Sequence, residues 1–443
     1  MTGLARDGGL LLPSDIPDVS PQLAAWSSLG YADLAYEIIR LYADIPEADL
    51  RTLIERSYAT FHHPEITPTR QVGDIHLLEL FHGPTLAFKD VALQFLGNTF
   101  EYILKRTGGE LNILAATSGD TGSAAIAGVR GREHIRIVVM HPRGRISPLQ
   151  ERQMTTVLDP NVSNIAVEGT FDDCQRIVKT LFGDLAFRDR LSLGAVNSIN
   201  WARILAQVVY YFHAAFRVMR STGASQVKFA VPTGNFGDIF AGYMAARMGL
   251  PIRQLILATN ENDILSRFFN TGLYQKGAVH TTLSPSMDIQ SASNFERYLY
   301  YRLGADPSAV RNAITEFETT GQLTLTPQGN QPVDPLIVAG RATTRETLDI
   351  IREFHSRYDY LLDPHTATGV QVGRQYLDAH TPLICLATAH PAKFGQAIHD
   401  ATGRDLAHHP MLDGLRHLPT RCLTLPADAS VIRRHIEQTL SLR

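Results

Sequence analysis

Lys89 stands in His82-Gly83-Pro84-Thr85-Leu86-Ala87-Phe88-Lys89-Asp90, an apolar, turn-initiated stretch that runs into the helical pattern Val91-Ala92-Leu93-Gln94-Phe95-Leu96. A solvated lysine amine titrates near ~10.4 and stays protonated at neutral pH, whereas burial disfavours the ammonium and leaves a nucleophile able to form a Schiff base. Two further segments give that lysine company. Thr117-Ser118-Gly119-Asp120-Thr121-Gly122-Ser123 lies between an apolar run ending at Ala116 and the helical Ala124-Ala125-Ile126-Ala127. Hydroxyls and free amides at a helix start suit a substrate carboxylate, and the same residues equally make a glycine turn with a Ser or Thr cap. Thr233-Gly234-Asn235-Phe236-Gly237-Asp238 repeats the order of strand, turn and helix. Backbone N–H groups converging between its glycines form an anion nest sized for one phosphate. It is neither G-x-G-x-x-G nor a P-loop, since no Gly-Lys-Ser or Gly-Lys-Thr follows, so dinucleotide and ATP readings lose ground. An amine for an aldehyde, a nest for a phosphate and a loop for a carboxylate share one economical explanation, pyridoxal phosphate.

Such loops need rigid elements behind them. Residues 111–116, 135–140, 162–167, 227–231, 255–258 and 383–387 read as buried strands, several fenced by glycine or proline. Trp201 to Arg220 and Asp238 to Met248 carry helical periodicity, and Thr170-Phe171-Asp172-Asp173 predicts a capped helix through Phe182. Strand then helix, repeated, predicts an α/β chain of parallel sheets covered on both faces, with ligands beyond the carboxyl ends of the strands. Ahead of it, residues 38–42 and 50–54, separated by Pro46, predict helices of a small N-terminal region over 1–70. The remainder divides into a smaller α/β domain over 71–220, with Lys89 and the carboxylate loop, and a larger one over 221–443, with the phosphate loop. The polar stretch from Thr271 to Asn294 predicts a mobile loop.

Composition limits the partners. A chain of 443 residues with 44% apolar and 19% charged side chains suits two or three α/β units. Its 41 basic and 44 acidic groups leave a net charge of -3, which argues against nucleic acid and anionic membrane as partners. Cys174, Cys385 and Cys422 form no Cys-x-x-Cys pair, so neither a disulfide scaffold nor structural zinc is expected, and a cytoplasmic setting is. The apolar run after the glycine-rich start, Leu10-Leu11-Leu12, is too short for a signal peptide, and no stretch reaches the ~20 apolar residues of a membrane span.

The segments His82 to Asp90, Thr117 to Ser123, Gly234 to Asp238 and Ala387-Thr388-Ala389-His390-Pro391-Ala392-Lys393-Phe394 resemble the threonine synthases in order and spacing, and the likeness runs over almost the whole chain. The resemblance implies a pyridoxal-phosphate enzyme of fold type II, the tryptophan-synthase-β type, converting O-phospho-L-homoserine and water to L-threonine and phosphate. The alternative it leaves is a related phospholyase that releases a 2-oxoacid, ammonia and phosphate. By position, Lys89 carries the Schiff base, with Phe88 and Asp120 beside the cofactor. Gly234, Asn235, Phe236, Gly237 and Asp238 hold its phosphate, and Thr388 faces the pyridine nitrogen. Thr117, Ser118, Gly119, Asp120 and Thr121 grip the substrate carboxylate and lie beside ring oxygen O3′.

For the substrate phosphate the chain offers the cations Arg152, Arg203 and Lys393 and the neutral donors Asn197, Ser198 and Asn200. Arg203 and Lys393, with Asn200, rank first because they flank recognisable motifs. Two departures stand out. Many relatives of this fold type have asparagine where this chain has Asp120, and a carboxylate donates to O3′ only when protonated. The family pattern also has a further N-terminal stretch with Ser-Thr-Arg-Gly ahead of the segment matching Gly3 to Gly9, so the expectation is an upstream start or a truncated chain. His365 and His390 are expected to structure their loops, without metal-ligand spacing around them, and no metal is expected. Monomer and dimer both stay open.

Overall fold

In the computed structural model, which describes residues 3, 5, 7–325 and 332–441, two parallel sheets lie between helices. The strands are β1 (Thr69–Val72), β2 (Ile75–Glu79), β3 (Leu111–Ala116), β4 (Ile135–Pro142), β5 (Val162–Glu168), β6 (Leu193–Gly194), β7 (Val227–Pro232), β8 (Ile252–Thr259), β9 (Leu273–Gln275), β10 (Gln322–Thr324), β11 (Ile337–Arg341), β12 (Leu383–Ala387) and β13 (Leu423–Pro426). The larger sheet runs β1-β2-β12-β7-β8-β11, parallel except for the β1–β2 hairpin at its edge. The smaller runs β13-β5-β4-β3-β6 and is parallel throughout. β9 and β10 form a separate antiparallel pair.

Every strand expected from the sequence is present, and the ones not foreseen are short or lie at edges. Sheet membership also crosses a division of the chain at residues 70 and 220. β1, which straddles residue 70, and β2 extend the edge of the sheet built by β7, β8, β11 and β12. At the other end, β13 returns to cover the edge of β5, and Ile432 and Ile436 of the closing helix Ala429–Ser441 are buried against Val167, Cys174 and Ile177.

The helix Trp201–Thr222 is the internal pillar, buried at every position from Arg203 through Phe216. It packs on the helices Tyr31–Ile39, Lys89–Thr107 and Gly237–Arg247. The N-terminal helices Tyr31–Ile39 and Glu47–Tyr58 begin earlier or run longer than expected, and the chain leaves helix at Arg40. Leu34, Ile38, Leu50, Leu53 and Ile54 join the main apolar cluster, each fully buried side chain contributing about 1.5–3 kcal/mol. The helices Lys89–Thr107 and Asp120–Val129 meet where Gly97 and Gly128 leave no room for a Cβ, which fixes Lys89 and Asp120 on two closely packed rods. The expected capping box at Thr170 is present, with Asp173 returning the bond. Among the described residues no helix is long and apolar enough to cross a membrane.

The stretch from Thr271 to Asn294, expected to be mobile, is pinned instead. It begins with β9, and its polar side chains bond to the protein: the Asn260 side-chain amide donates to Thr282 Oγ1 and Asp288 Oδ1, each at 2.8 Å, and Thr282 Oγ1 donates to Asp288 at 2.7 Å.

Candidate active site

Lys89 opens its helix at the end of a loop that Asp90 ties down. The Asp90 carboxylate accepts from the Thr85 backbone N–H at 2.8 Å and the Thr85 hydroxyl at 2.6 Å. A Cβ on Gly83 would lie 2.5 Å from that of Asp90, so the turn requires glycine. The same loop is stitched by backbone to the segment after β12. Phe88 N–H donates to the Thr388 carbonyl at 2.8 Å, His390 N–H donates to the Leu86 carbonyl at 3.0 Å, and Ala87 bridges Ala389. Leu86 pays the conformational cost, in the left-handed region at φ 59°. Lys89 and Thr388 are therefore held in register by the main chain.

The Lys89 amine is buried, stands 4.7 Å from the centre of the Phe88 ring, and donates to no oxygen among the described residues. Burial pulls its pKa down to about 8, with Arg203 and Lys393 adding to the shift and Asp120 and Asp90 opposing it. Asp120 is also buried. Burial alone would raise its pKa, but the charges of Lys393 and Lys89 outweigh that and hold the carboxyl well below its usual range. It accepts from Lys393 Nζ and Gln150 Nε2 at 2.7 and 2.9 Å, and is thus an acceptor only.

The loop before Asp120 takes its shape from Thr117 and Gly119. The Thr117 hydroxyl accepts from the N–H groups of Gly119 and Gly122 at 3.0 and 2.9 Å, so it closes the turn. Gly119 sits at φ 144° with Gln150 where a Cβ would be, 2.6 Å away. Ser118 and Thr121 are half-buried beside it.

After β7, the residue in the left-handed region is Phe236, at φ 65°, and neither of its glycine neighbours. Its ring stacks on Phe269 at 5.9 Å and packs on Phe295, which hold that conformation. Gly234 is needed for close approach instead, because a Cβ there would collide with the Ser286 carbonyl oxygen. Among the described residues, the N–H groups of Gly234, Asn235 and Phe236 donate to no protein acceptor, so the start of the helix Gly237–Arg247 has free donors that could hold an anion. Asp238 points the other way. Its Oδ1 accepts from the hydroxyls of Tyr210 and Tyr211 at 2.5 and 3.0 Å, its Oδ2 has no partner, and burial raises its pKa to about 6.

Arg203 is buried in the first turn of the pillar helix, and no carboxylate pairs with it among the described residues. Nη1 donates to the Val196 carbonyl at 3.0 Å and Nε has no partner. Burial lowers its pKa to about 10. Asn200 caps that helix through Oδ1, which accepts from Ala202 N–H at 3.0 Å, and its buried Nδ2 is likewise unpartnered. The start of this helix lies beside the nest: a Cβ on Gly237 would lie 3.5 Å from Ile204 and 3.7 Å from Ser198.

The four segments thus converge around Lys89, with one exception among the cations. Arg152 is spent on the carbonyls of Leu415 and Leu418, at 2.8 and 2.7 Å, so it cannot serve the site as expected. His390 caps its 3-10 turn, with Nδ1 accepting from Ala392 N–H at 3.2 Å. His365 shares a contact of 2.9 Å with Asp363, while its buried Nε2 has no partner. The sequence reading missed Asp90, Gln150 and the Tyr210–Tyr211 pair. Two adjacent tyrosines inside a buried helix were the available signal for the last of these.

An amine that sheds its proton near neutral pH, orphaned N–H groups at a helix start, and a turn at Gly234 packed too closely on Ser286 for any Cβ fit pyridoxal phosphate. Residues 60–330 match the family model "Pyridoxal-phosphate dependent enzyme", and the chain is a pyridoxal-phosphate enzyme of fold type II. Residues 1–58 match "Threonine synthase N terminus" and residues 366–436 "Threonine synthase, C-terminal". The threonine synthase of Schizosaccharomyces pombe is 47% identical over 436 residues, 90% of this chain and 85% of that one. That of Pseudomonas aeruginosa is 45% identical over 444 residues, 99% of this chain and 94% of the relative. The crystal structure of PLP-bound threonine synthase from Brucella melitensis superposes with a TM-score of 0.93 at 45% identity, covering 99% of this chain and 95% of that one. The chain belongs to the threonine synthase family.

Proposed function

We propose that this chain converts O-phospho-L-homoserine and water to L-threonine and phosphate in the cytoplasm. The observation that carries this reading is a proton-accepting amine at Lys89 within electrostatic reach of Arg203, a buried cation that meets no carboxylate among the described residues. An anionic group on the substrate supplies what Arg203 lacks. The unpartnered amide of Asn200 offers that group a neutral donor, and Lys393 adds positive charge nearby.

Bound pyridoxal phosphate supplies the electron sink that makes protons at substrate Cα and Cβ removable. Lys89 holds the cofactor and then serves as the single base, taking the Cα proton and a Cβ proton and returning one at Cγ after phosphate departs with the electrons of the Cγ–O bond. Water adds at Cβ. Ser118, Thr121 and the backbone at Gly119 take the substrate carboxylate, in a turn that Thr117 closes, with Phe88 and Asp120 flanking the ring. Thr388 would hold the cofactor at its ring nitrogen. The nest from Gly234 through Gly237 holds the cofactor phosphate, with Asp238 anchored behind it by two tyrosines. In domain terms, the lysine and carboxylate loop belong to the smaller unit and the nest to the larger one.

If the nest holds that phosphate, Gly234→Val forces the loop away from Ser286 and misaims its N–H groups. Cofactor affinity is expected to fall by about tenfold or more, read by equilibrium titration of cofactor absorbance. Unchanged affinity contradicts the placement. The function itself is tested by incubating the enzyme with O-phospho-L-homoserine. Threonine and phosphate are expected in equal amounts with little 2-oxobutanoate, while predominant 2-oxobutanoate and ammonia would mark a phospholyase.

A further inference from the structure

Lys393 is a buried cation, 1% exposed, in the segment after β12. Its ammonium pairs with Asp120 at 2.7 Å and donates to the Thr85 carbonyl at 2.8 Å. Both contacts lead back to Lys89. Asp120 opens the helix packed against that of Lys89, and Thr85 is bound by Asp90, the residue after Lys89.

The charged groups around Lys89 are Asp90 on its own helix, Asp120, Arg203 and Lys393 from three other segments, and Asp238 from the helix after β7. Thr85 engages both oxygens of Asp90, and Tyr210 and Tyr211 engage Asp238. Both carboxyls are raised by burial to about 6. Asp120 is the one of the three held below its usual range, by the charges of Lys393 and Lys89 against the effect of burial. In a dry site such a group takes the nearest cation as its partner and stabilises that cation's charge. Two cations are within reach, Lys89 and Lys393, and the geometry gives the contact to Lys393.

Resting on the assignment of Lys89 as the cofactor lysine, we propose that Lys393 is a positioning residue: by pairing with Asp120 it cancels the carboxylate that would otherwise hold Lys89 as an ammonium, and so keeps Lys89 available as nucleophile and base. Its second bond, to Thr85, makes it a fixed counter-ion. Gln150, donating to the same Asp120 oxygen, holds the carboxylate toward it.

The test reads the titration of one amine. Competitive acetylation across pH of the whole chain freed of cofactor, with Lys89 followed by peptide mass spectrometry, gives its midpoint, and holoenzyme absorbance across pH gives a second reading. Lys393→Met is expected to raise the midpoint by about one unit or more, or about tenfold less neutral amine at neutral pH. Asp120→Asn is expected to lower it. The double variant returns it to near the wild-type value, and Lys393→Arg keeps it there. A lysine that merely fills space gives no such rescue by a second charge removal.

An unmoved midpoint in Lys393→Met, or a double variant that keeps the raised value, overturns the proposal. Lys393→Met leaves a buried carboxylate unpaired and is the variant most at risk of not folding. In that event Asp120→Asn alone reads the sign, and a midpoint that stays or rises overturns the proposal. Borohydride reduction of the holoenzyme separates the premise from the inference. A pyridoxyl group on another lysine removes both, whereas Lys89 labelled with its midpoint unmoved removes only the role of Lys393.

Discussion

Lys89→Ala is expected to lower kcat by about 10³-fold or more and to abolish covalent retention of the cofactor, because one amine provides both the attachment and the proton transfers. The structure offers no understudy. Of the other cations near Lys89, Lys393 is consumed by Asp120 and Thr85, and Arg203 does not give up its proton in the working range. Retention is measured by gel filtration after borohydride, and turnover by phosphate release. In the wild-type chain freed of cofactor, capture of added cofactor is expected to quicken as pH rises and to level off above about 8, since the free amine is the reactive form. A variant that keeps its label or a tenth of its turnover contradicts the assignment.

Arg203→Met is expected to lower kcat/KM for the phosphorylated substrate by about 10²-fold, since charge-assisted hydrogen bonds are worth about 1.5–3 kcal/mol each. Its stability is expected to move the other way or hold. Among the described residues the buried guanidinium meets no carboxylate, its Nε has no acceptor, and its one hydrogen bond goes to the Val196 carbonyl. An apolar side chain of similar length removes an uncompensated buried charge. Steady-state kinetics and thermal unfolding together decide the matter. A lowered unfolding midpoint with unchanged kcat/KM would make Arg203 a structural residue.

The chemistry of the chain was legible in its sequence wherever it depends on consecutive backbone, as in the turns after β3 and β7 and the loop before Lys89. What escaped depends on partners distant in sequence. Lys393 reads as a free cation until Asp120 is placed 2.7 Å from it, and Arg152 reads as an anion donor until the carbonyls of Leu415 and Leu418 claim it. Within the nest φ is positive at Phe236 and not at a glycine, which no local pattern shows, because Phe269, Phe295 and Tyr298, distant in sequence, close around the ring. The segment from Thr271 to Asn294 looked mobile because it is polar. Its Thr282 and Asp288 bond to each other, Asn260 and Asn262 from outside the segment donate to Asp288, and Ser286 lies against Gly234. Of the larger sheet's edge, β1 and β2 went unread because a hairpin of four and five residues carries too short an alternation to register.

Carbon–oxygen cleavage at Cγ followed by addition of water at Cβ is tested most directly by turnover of O-phospho-L-homoserine in ¹⁸O-enriched water, with both products weighed by mass spectrometry. The expected result is threonine carrying one solvent oxygen and phosphate carrying none, because the departing phosphate keeps its bridging oxygen and water supplies the hydroxyl. Phosphate that gains solvent oxygen, with homoserine as the organic product, would mean cleavage at phosphorus and would contradict a lysine-based elimination in this site.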